Sequence, residues 1–352
     1  MLRSLEIRNY RNLRHLTIEK LGRVNLLVGK NNTGKTSVLE AIYLWINKGH
    51  IDTIYEILEV REGMVESISE DLYTRNKAMI SSLFSNRVIS NDEKDYIVIS
   101  TIINMNKLQL VLSFANMTLM KDTSISFYGF CIKYTNLSTL AIPLNDDIDK
   151  YKIAFTSYEK SGKINNRFVK SNGLNNVLIE ALYDEIVTTD KETEVVDALN
   201  IIDQSIVKFA FRTDRLSNKR YAVVRQSHNQ QPVPLRSMGD GINRILAIIL
   251  AMVNCDNGCL LIDEFENGLH YSVQEKLWEI IFYLAKKLNI QVFATTHSND
   301  TIKAFGEVAN KNPEFNDAQL IQLRNVKGEI SAVLFDAHDV EIAMETEYID
   351  LR

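Results

Sequence analysis

The segment VNLLVGKNNTGKTSVLEAI, which begins at Val24, restricts the fold of this chain more than any other stretch. Its glycine loop satisfies the spacing G-x-x-x-x-G-K-[ST] with Gly29, Gly34, Lys35 and Thr36. The five mostly apolar residues before the loop predict a short buried strand. From Thr36 onward a helical pattern carries Val38, Leu39, Ile42, Trp45 and Ile46 on one side. A strand, a glycine loop and a helix in this order predict an α/β fold.

The loop has the chemistry of a phosphate site. Its glycines allow backbone N–H groups to turn inward, and the positive end of the helix dipole faces the same point. Lys35 adds a mobile charge for the β and γ phosphates, and the Thr36 hydroxyl is placed for Mg²⁺. A chance match is disfavoured because both the strand and the helix are present.

Composition excludes several classes of protein. The 352 residues are 45% hydrophobic and 24% charged, as in ordinary globular proteins. No apolar run approaches the ~20 residues that cross a bilayer, and the start MLRSLEIRNYRNL has no signal-peptide core, so no membrane partner is expected. The net charge of −5 means that any nucleic-acid surface must be local.

The three cysteines suit a reducing, cytoplasmic location. Cys255 and Cys259 lack a partnering His or Cys pair, so no zinc site is expected. Cys259 is interpreted as an apolar strand residue.

The order of patterns predicts an interrupted domain. Strand patterns lead into the glycine loop, and from about residue 49 to 204 the chain changes to polar helical segments, then β-rich segments, then acidic helical ones. From about residue 205 the strand and helix pattern resumes. We therefore predict a nucleotide-binding domain of residues 1–48 and 205–352, with an inserted α+β domain at 49–204 for dimerisation or partner docking.

Two carboxylates follow a second apolar strand in GCLLIDEFENGLH, residues 258–270. Asp263 would orient Mg²⁺, and Glu264 would polarise the attacking water beside the γ-phosphate. Asp-Glu after a strand is weak evidence alone, but it becomes strong beside the phosphate loop.

A third strand, QVFATTHS at residues 291–298, ends in His297. An amphipathic helix lies between it and the strand of Asp263, with Leu277, Ile280, Ile281, Leu284 and Leu288 on one face. Such a β-α-β unit brings the ends of parallel strands together, so His297 is predicted to sense the γ-phosphate. The alternative is a strand-end histidine that only satisfies a backbone group.

A second glycine-containing loop opens a helix in LRSMGDGINRILAIILAMV, residues 235–253. The apolar stripe of this helix consists of Ile242, Ile245, Leu246, Ile249, Leu250 and Val253. Ser237, Gly239 and Gly241 precede it at a second place suited to an anion. We expect this place to serve the ATP of a neighbouring subunit. The alternative is an ordinary helix N-cap at Ser237 or Asp240.

Taken in order, GKNNTGKTS, SMGDG, CLLIDE, ENGLH and ATTHS resemble the motifs of ABC-class ATPases. LEIRNYRNL, IDEFENGLHYSVQEKLW, QVFATTHSNDTI and EIAMETEYIDLR are similar to the OLD/RecF-like AAA-type group, which includes ATPase subunits of anti-phage systems such as PARIS and Septu. The resemblance covers about 200 residues at the two ends of the chain. It implies a P-loop ABC-type ATPase core, a mixed β-sheet flanked by helices, with a large α+β insertion between the phosphate loop and the signature.

The resemblance also implies roles for residues. ATP and Mg²⁺ would be the cofactors, and the nucleotide-binding residues would be Gly29, Lys30, Asn31, Asn32, Thr33, Gly34, Lys35, Thr36 and Ser37, with Ser237 and Gly239 reaching the ATP of a head-to-tail partner. Thr36 and Asp263 would hold the metal. Lys35, Glu264 and His297 would be catalytic, and residues 267–270 would couple the two sites. Two departures are the signature SMGDG in place of LSGGQ and the lack of an assignable Q-loop glutamine. The preference for ATP over GTP is inherited from the family.

Three functions fit such an ATPase. A transporter subunit is disfavoured by the roughly 200 residues between Lys35 and Ser237. A RecF-like or SMC-like DNA-binding ATPase of DNA repair is the alternative reading. The preferred one is an ATPase subunit of an anti-phage complex, which senses an invader and controls a separate effector such as a TOPRIM-like or HNH nuclease.

Two stretches bear on the partners. KFAFRTDRLSNKRYAVVR, residues 208–225, alternates cations and aromatics and makes DNA a candidate partner, against the alternative of a solvated hairpin face. The acidic stretch LIEALYDEIVTTDKETEVVDAL is interpreted as a solvated helical face without a metal pocket. OLD nucleases carry a TOPRIM domain after the ATPase, whereas about 55 residues follow His297 here, so a separate effector is expected.

Overall fold

The computed structural model describes residues 1–62, 71–87, 95–121, 123–146, 164–214, 218–239, 241–315 and 317–345. The chain forms two compact units. The first unit consists of residues 1–21, 31–164 and 323–333, and the second unit of residues 22–30, 165–322 and 334–352.

The helices are α1 Lys35–Ile46, α2 Ile51–Glu62, α3 Leu72–Ser81, α4 Asn176–Asp184, α5 Lys191–Ile202, α6 Ile242–Val253, α7 Tyr271–Lys287, α8 Asn299–Lys311 and α9 Ala337–Glu345. Short 3-10 helices span Ser85–Arg87, Leu235–Met238 and Pro313–Phe315. The strands are β1 Leu5–Tyr10, β2 Leu13–Ile18, β3 Val24–Val28, β4 Ile97–Ile103, β5 Asn106–Lys121, β6 Thr123–Tyr134, β7 Leu140–Pro143, β8 Asn166–Val169, β9 Ile206–Thr213, β10 Arg220–Gln226, β11 Val233–Pro234, β12 Cys259–Ile262, β13 Gln291–Thr295, β14 Ala318–Val326 and β15 Glu329–Phe335.

The first unit is built on an antiparallel sheet of order β2-β1-β4-β5-β6-β7. The predicted strand patterns at its N-terminus and in residues 97–134 are confirmed. Helix α1 belongs to this unit, and its predicted apolar side is buried. Glu40 and Ser37 on the other sides are buried too, so α1 is enclosed nearly all round. The Trp45 ring lies 5.8 Å from the ring of Tyr134 on β6.

The second unit contains the parallel strands β3, β13, β12 and β8 and residues 318–322 of β14, in the order β14-β3-β13-β12-β8. All five residues of β3 are buried, as its short apolar pattern predicts. The predicted β-α-β unit is confirmed, because α7 connects β12 to its parallel neighbour β13. The short sheet β11-β10-β9 belongs to the same unit.

The core of the second unit surrounds α6, whose residues from Ile245 to Val253 are all buried. The helix therefore has no solvated face in its C-terminal two-thirds, although a single apolar stripe was predicted. Trp278 on α7 stacks on Phe265 with ring centroids 4.1 Å apart and meets Phe305 on α8 edge-on. Cys259 is a buried strand residue, as predicted.

The two units do not follow the predicted boundaries after residues 48 and 204. Strand β4 pairs with β1, so the β-rich segments extend a sheet that the N-terminal strands begin. Strand β8 pairs with β12, and α5 packs on α6 and α7, so residues 166–202 complete the second unit. The proposed role of residues 49–204 in dimerisation or docking stays a prediction.

No helix in the described ranges is long and apolar enough to span a membrane.

Candidate active site

The glycine loop joins β3 to α1, with Gly29 and Lys30 in the second unit and residues 31–37 in the first. Gly34 has a φ of 89°, and a Cβ there would lie 2.7 Å from Cδ2 of Leu13. Only glycine fits both the backbone conformation and the space. The Asn12 side chain donates from Nδ2 to the carbonyl of Asn32 at 3.2 Å. The turn between β1 and β2 therefore supports the loop.

The start of α1 fits a polyanion. Gly34 is its N-cap and has no side chain to cap the helix, and no acidic residue lies in its first turn. The positive end of the helix dipole favours an anion at this place. Lys35 and Thr36 lie in this first turn, as predicted, with Thr33, Lys35 and Ser37 buried and Thr36 half-buried. Their roles as phosphate and Mg²⁺ ligands stay predictions.

A buried ion pair behind the loop was missed by the sequence analysis. Nε of Arg11 lies 2.8 Å from the Glu40 carboxylate, and the Tyr10 hydroxyl donates to the same carboxylate at 3.1 Å. Burial, with the charge of Glu40, raises the pKa of Tyr10 far above its usual range. The one signal in the sequence is a glutamate within an otherwise apolar helix.

In the second unit the remaining predicted residues gather at one sheet edge. Leu27 of β3 pairs with Thr295 of β13, and Ala294 pairs with Ile262 of β12, so the three parallel strands end together. The residues that follow these ends are Gly29 and Lys30, Asp263 and Glu264, and His297. The predicted convergence of these strand ends is confirmed.

The Thr295 hydroxyl connects the two carboxylate residues. It donates to Oδ1 of Asp263 at 2.6 Å and accepts from the backbone N–H of Glu264 at 2.8 Å. Glu264 has a φ of 49°, a left-handed conformation that non-glycine residues rarely adopt. Strain of this kind persists only where surrounding contacts hold it.

The Glu264 side chain faces His297. Oε1 of Glu264 lies 3.7 Å from Nε2 of His297, and the two side chains are 42% and 39% exposed. Glu266 holds the neighbouring backbone, since its carboxylate accepts from the Thr296 hydroxyl at 2.7 Å and from the N–H of His297 at 2.8 Å. The ring of His297 therefore meets a carboxylate rather than the backbone group of the alternative reading. Its role as a γ-phosphate sensor stays a prediction.

The second glycine loop differs from its prediction in detail. Ser237 lies in the 3-10 helix before α6, and its hydroxyl donates to the carbonyl of Pro234 at 2.7 Å. Helix α6 begins only at Ile242, with Gly241 as N-cap and no side-chain cap, so Ser237 is not the cap. Gly239 is exposed, has a φ of 125°, and a Cβ there would meet nothing within 4 Å. Asp240 lies outside the described residues.

Residues 267–270 make local contacts. Asn267 donates from Nδ2 to the carbonyl of Ser171 at 2.7 Å, and His270 caps α7 by accepting from the N–H of Ser272. Arg244 on α6, which sequence reasoning missed, bonds to the same Ser171 carbonyl and to the backbone of Asp263 and Glu264. The role of residues 267–270 in coupling the two ATP sites stays a prediction.

The basic segment forms the hairpin β9–β10. Its aromatic residues Phe209 and Phe211 pack on Tyr183, inside the unit. The opposite side carries Lys208 opposite Arg225 and Arg212 opposite Tyr221. We call this second set of four residues the basic face. Its three cations make no ion pair with any residue in the described ranges, and Arg215 lies outside them.

Comparisons with known proteins agree with these elements. The model of the AAA ATPase domain family matches residues 1–302. An ATP/GTP phosphatase of Helicobacter pylori is 24% identical over 385 aligned residues, covering 99% of each chain. The DNA replication and repair protein RecF of Clostridioides difficile is 27% identical over 186 residues, covering 52% of this chain and 48% of RecF.

The fold matches that of SMC head domains. The Smc head bound to the C-winged helix domain of ScpA has a TM-score of 0.54 at 12% identity, covering 98% of this chain and 99% of that one. The predicted fold class is confirmed: a P-loop ATPase fold with mixed sheets flanked by helices.

Proposed function

The chain belongs to the AAA ATPase domain family and is an ATPase, and from this premise we propose that it hydrolyses ATP with Mg²⁺ and with Glu264 as the general base. One observation carries the assignment of the base. The Glu264 carboxylate is part-exposed at the edge where three parallel strands end, beside His297 and next to the more buried Asp263. An acceptor in this position can take the proton of an attacking water.

The family motif supplies the other roles in the proposal. The loop Gly29–Ser37 binds the phosphates, with Lys35 as their cation, and the start of α1, with no acidic residue in its first turn, fits that charge. Thr36 and Asp263 hold Mg²⁺, which neutralises charge on the phosphates when bound. His297 lies beside Glu264 and responds to the γ-phosphate. We also propose that the protein works in the reducing cytoplasm, as its cysteines led us to expect.

Two variants test the catalytic assignment. Lys35→Ala should weaken nucleotide binding, because it removes a phosphate contact. Glu264→Gln should bind ATP and stall, because an amide cannot accept the proton of water. Steady-state hydrolysis and equilibrium binding of Mg-ATP measure the two effects, with Glu307→Gln on α8 as an exposed control. Full turnover in Glu264→Gln would remove Glu264 as the base.

We further propose that two copies close head to tail around ATP. Ser237 and Gly239 are exposed, and the space around Gly239 is open, which suits contact with a partner's nucleotide. Mixing Lys35→Ala with Ser237→Arg subunits should restore partial hydrolysis, since the mixed dimer keeps one complete site. If both variants fold and mixing never restores activity, Ser237 does not act in trans.

The cellular role we propose is control of a separate effector in an anti-phage complex. The support is the resemblance of the motifs to the ATPase subunits of such systems. ATP-driven closure would hold the effector inactive until a phage component alters the dimer. The test expresses the chain alone and beside its genomic neighbour, challenges the cells with phage, and assays cleavage of DNA, RNA and tRNA. Protection by the chain alone, with the neighbour deleted, would refute the two-component proposal.

A RecF-like or SMC-like DNA-binding ATPase is the second candidate. The basic face favours it. Lys208 and Arg225 lie directly opposite each other on neighbouring strands, and a bound anion such as a phosphate would relieve the repulsion between their like charges. The similarity to RecF points the same way. Reversing the three cations of the basic face to glutamate should abolish salt-dependent binding of duplex DNA. The matched control reverses the ion-paired cations Lys286, Lys303 and Lys311. Equal binding by the two triple variants would reject the basic face as the DNA surface.

A further inference from the structure

Arg244 is the described residue that bonds to the backbone of both carboxylate positions. Its Nη2 donates to the carbonyl of Glu264 at 2.8 Å and to that of Asp263 at 3.2 Å. Its Nη1 donates to the carbonyl of Ser171 at 3.3 Å. The guanidinium thus ties the end of β12 to the segment after β8.

Arg244 is a mostly buried cation with carboxylates nearby. Burial lowers the pKa of Arg244, and the carboxylates of Glu266, Glu264 and Asp263 counteract that effect. Nε of Arg244 is buried and makes no hydrogen bond in the described structure. A guanidinium keeps its charge in proteins, so the site bears the cost of burying a cation whose hydrogen bonds go to backbone carbonyls.

The hydrogen bond from Arg244 to the Glu264 carbonyl bears on the backbone conformation of Glu264. A φ of 49° is unfavourable for glutamate, and in this backbone arrangement the carboxylate lies 3.7 Å from Nε2 of His297. Arg244 holds the carbonyl of Glu264, and Thr295 holds its N–H. The two peptide groups that flank the residue are therefore both held by hydrogen bonds.

We infer that Arg244 is a positioning residue for hydrolysis, which sets the direction of the Glu264 carboxylate by clamping its backbone in the left-handed conformation. Among the described residues, the hydrogen bonds of Arg244 go to backbone carbonyls and not to His297 or to the Glu264 carboxylate. The inference assigns its effect on turnover to the direction of the Glu264 side chain. The inference rests on the proposed role of Glu264 as the base.

Removing the clamp should lower kcat and leave the affinity for ATP nearly unchanged. Arg244→Met keeps the unbranched apolar part of the side chain and removes the guanidinium with its donors. We expect kcat to fall on the order of 100-fold, as displacements of about 1 Å do in active sites, with Kd for Mg-ATP within about 3-fold of wild type. Arg244→Lys keeps one cationic donor and should recover part of kcat.

The matched control is Arg23→Met. Arg23 also donates to a backbone carbonyl, that of Ala285, at 3.1 Å, but it lies before β3, at the opposite edge of the sheet. This variant should keep the kcat of wild type. A general loss of packing would instead lower kcat in both arginine variants.

A double-variant cycle separates positioning from general damage. Because Arg244 acts through Glu264, Arg244→Met should cost nothing further in a Glu264→Gln background. Multiplying losses, or an unchanged kcat in Arg244→Met, would overturn the inference. If Arg244→Met does not fold, Arg244→Lys takes its place in the cycle. Glu264→Gln measured alone decides the separate question of the base, so the two failures are distinguishable.

Discussion

Replacing Thr295 by valine tests the polar frame beneath the carboxylates. The Thr295 side chain is 1% exposed, and its hydroxyl serves Asp263 and Glu264 at once. Valine keeps the shape of the side chain and removes both hydrogen bonds. The N–H of Glu264 is then left without its acceptor.

The expected loss of stability follows from these two bonds. A hydrogen bond to a charged group contributes about 1.5–3 kcal/mol, and a buried donor without a partner costs about 1–3 kcal/mol. The methyl group of valine offsets part of this loss. We therefore expect Thr295→Val to lower the free energy of unfolding of the second unit by roughly 3–5 kcal/mol. Thr295→Ser keeps the hydroxyl and loses one buried methyl, which costs about 1 kcal/mol.

The chain has two tryptophans, so a Trp45→Phe background leaves Trp278 as the fluorescent reporter. Trp278 stacks on Phe265, whose N–H donates to the Thr295 carbonyl at 2.9 Å. Urea unfolding of the serine and valine variants, without Mg²⁺ or nucleotide, measures the difference. Equal losses in the two variants would show that the hydroxyl does not stabilise this frame.

Two further predictions concern the first unit. Hydrogen bonds from Lys107 and Arg8 lower the pKa of Glu6 from 4.5 to about 2. The contribution of Glu6 to stability is therefore present above pH 4.5 and is lost as the pH falls toward 2. Glu6→Gln should flatten the acid-unfolding curve between these pH values. Arg11→Met removes the cation that pairs with the buried Glu40 carboxylate and should cost about 3–5 kcal/mol, whereas adding Glu40→Leu should restore much of that loss in thermal or urea unfolding. An equal loss in the single and double variants would contradict a buried ion pair.

The sequence predicted the elements of the site better than the grouping of the chain. The glycine loop, β3 and α1 were predictable because their conformations depend on Gly34 and on other residues close to it in the sequence. The boundaries after residues 48 and 204 were inferred from changes in composition. Composition does not report that β4 pairs with β1 or that β8 pairs with β12, since these partners lie about 90 residues apart along the chain. Pairing over such distances depends on the folded arrangement of the strands.

By itself, the sequence determined where phosphate and carboxylate chemistry can occur, because motif spacing and the shared ends of parallel strands follow from local rules. Only the tertiary structure decided how Glu264 is held. Its contacts come from Arg244, 20 residues away, and Thr295, 31 residues away, and motif spacing does not report that either side chain reaches Glu264. The physical reason is that a strained backbone is stabilised by whichever donors and acceptors packing brings to it.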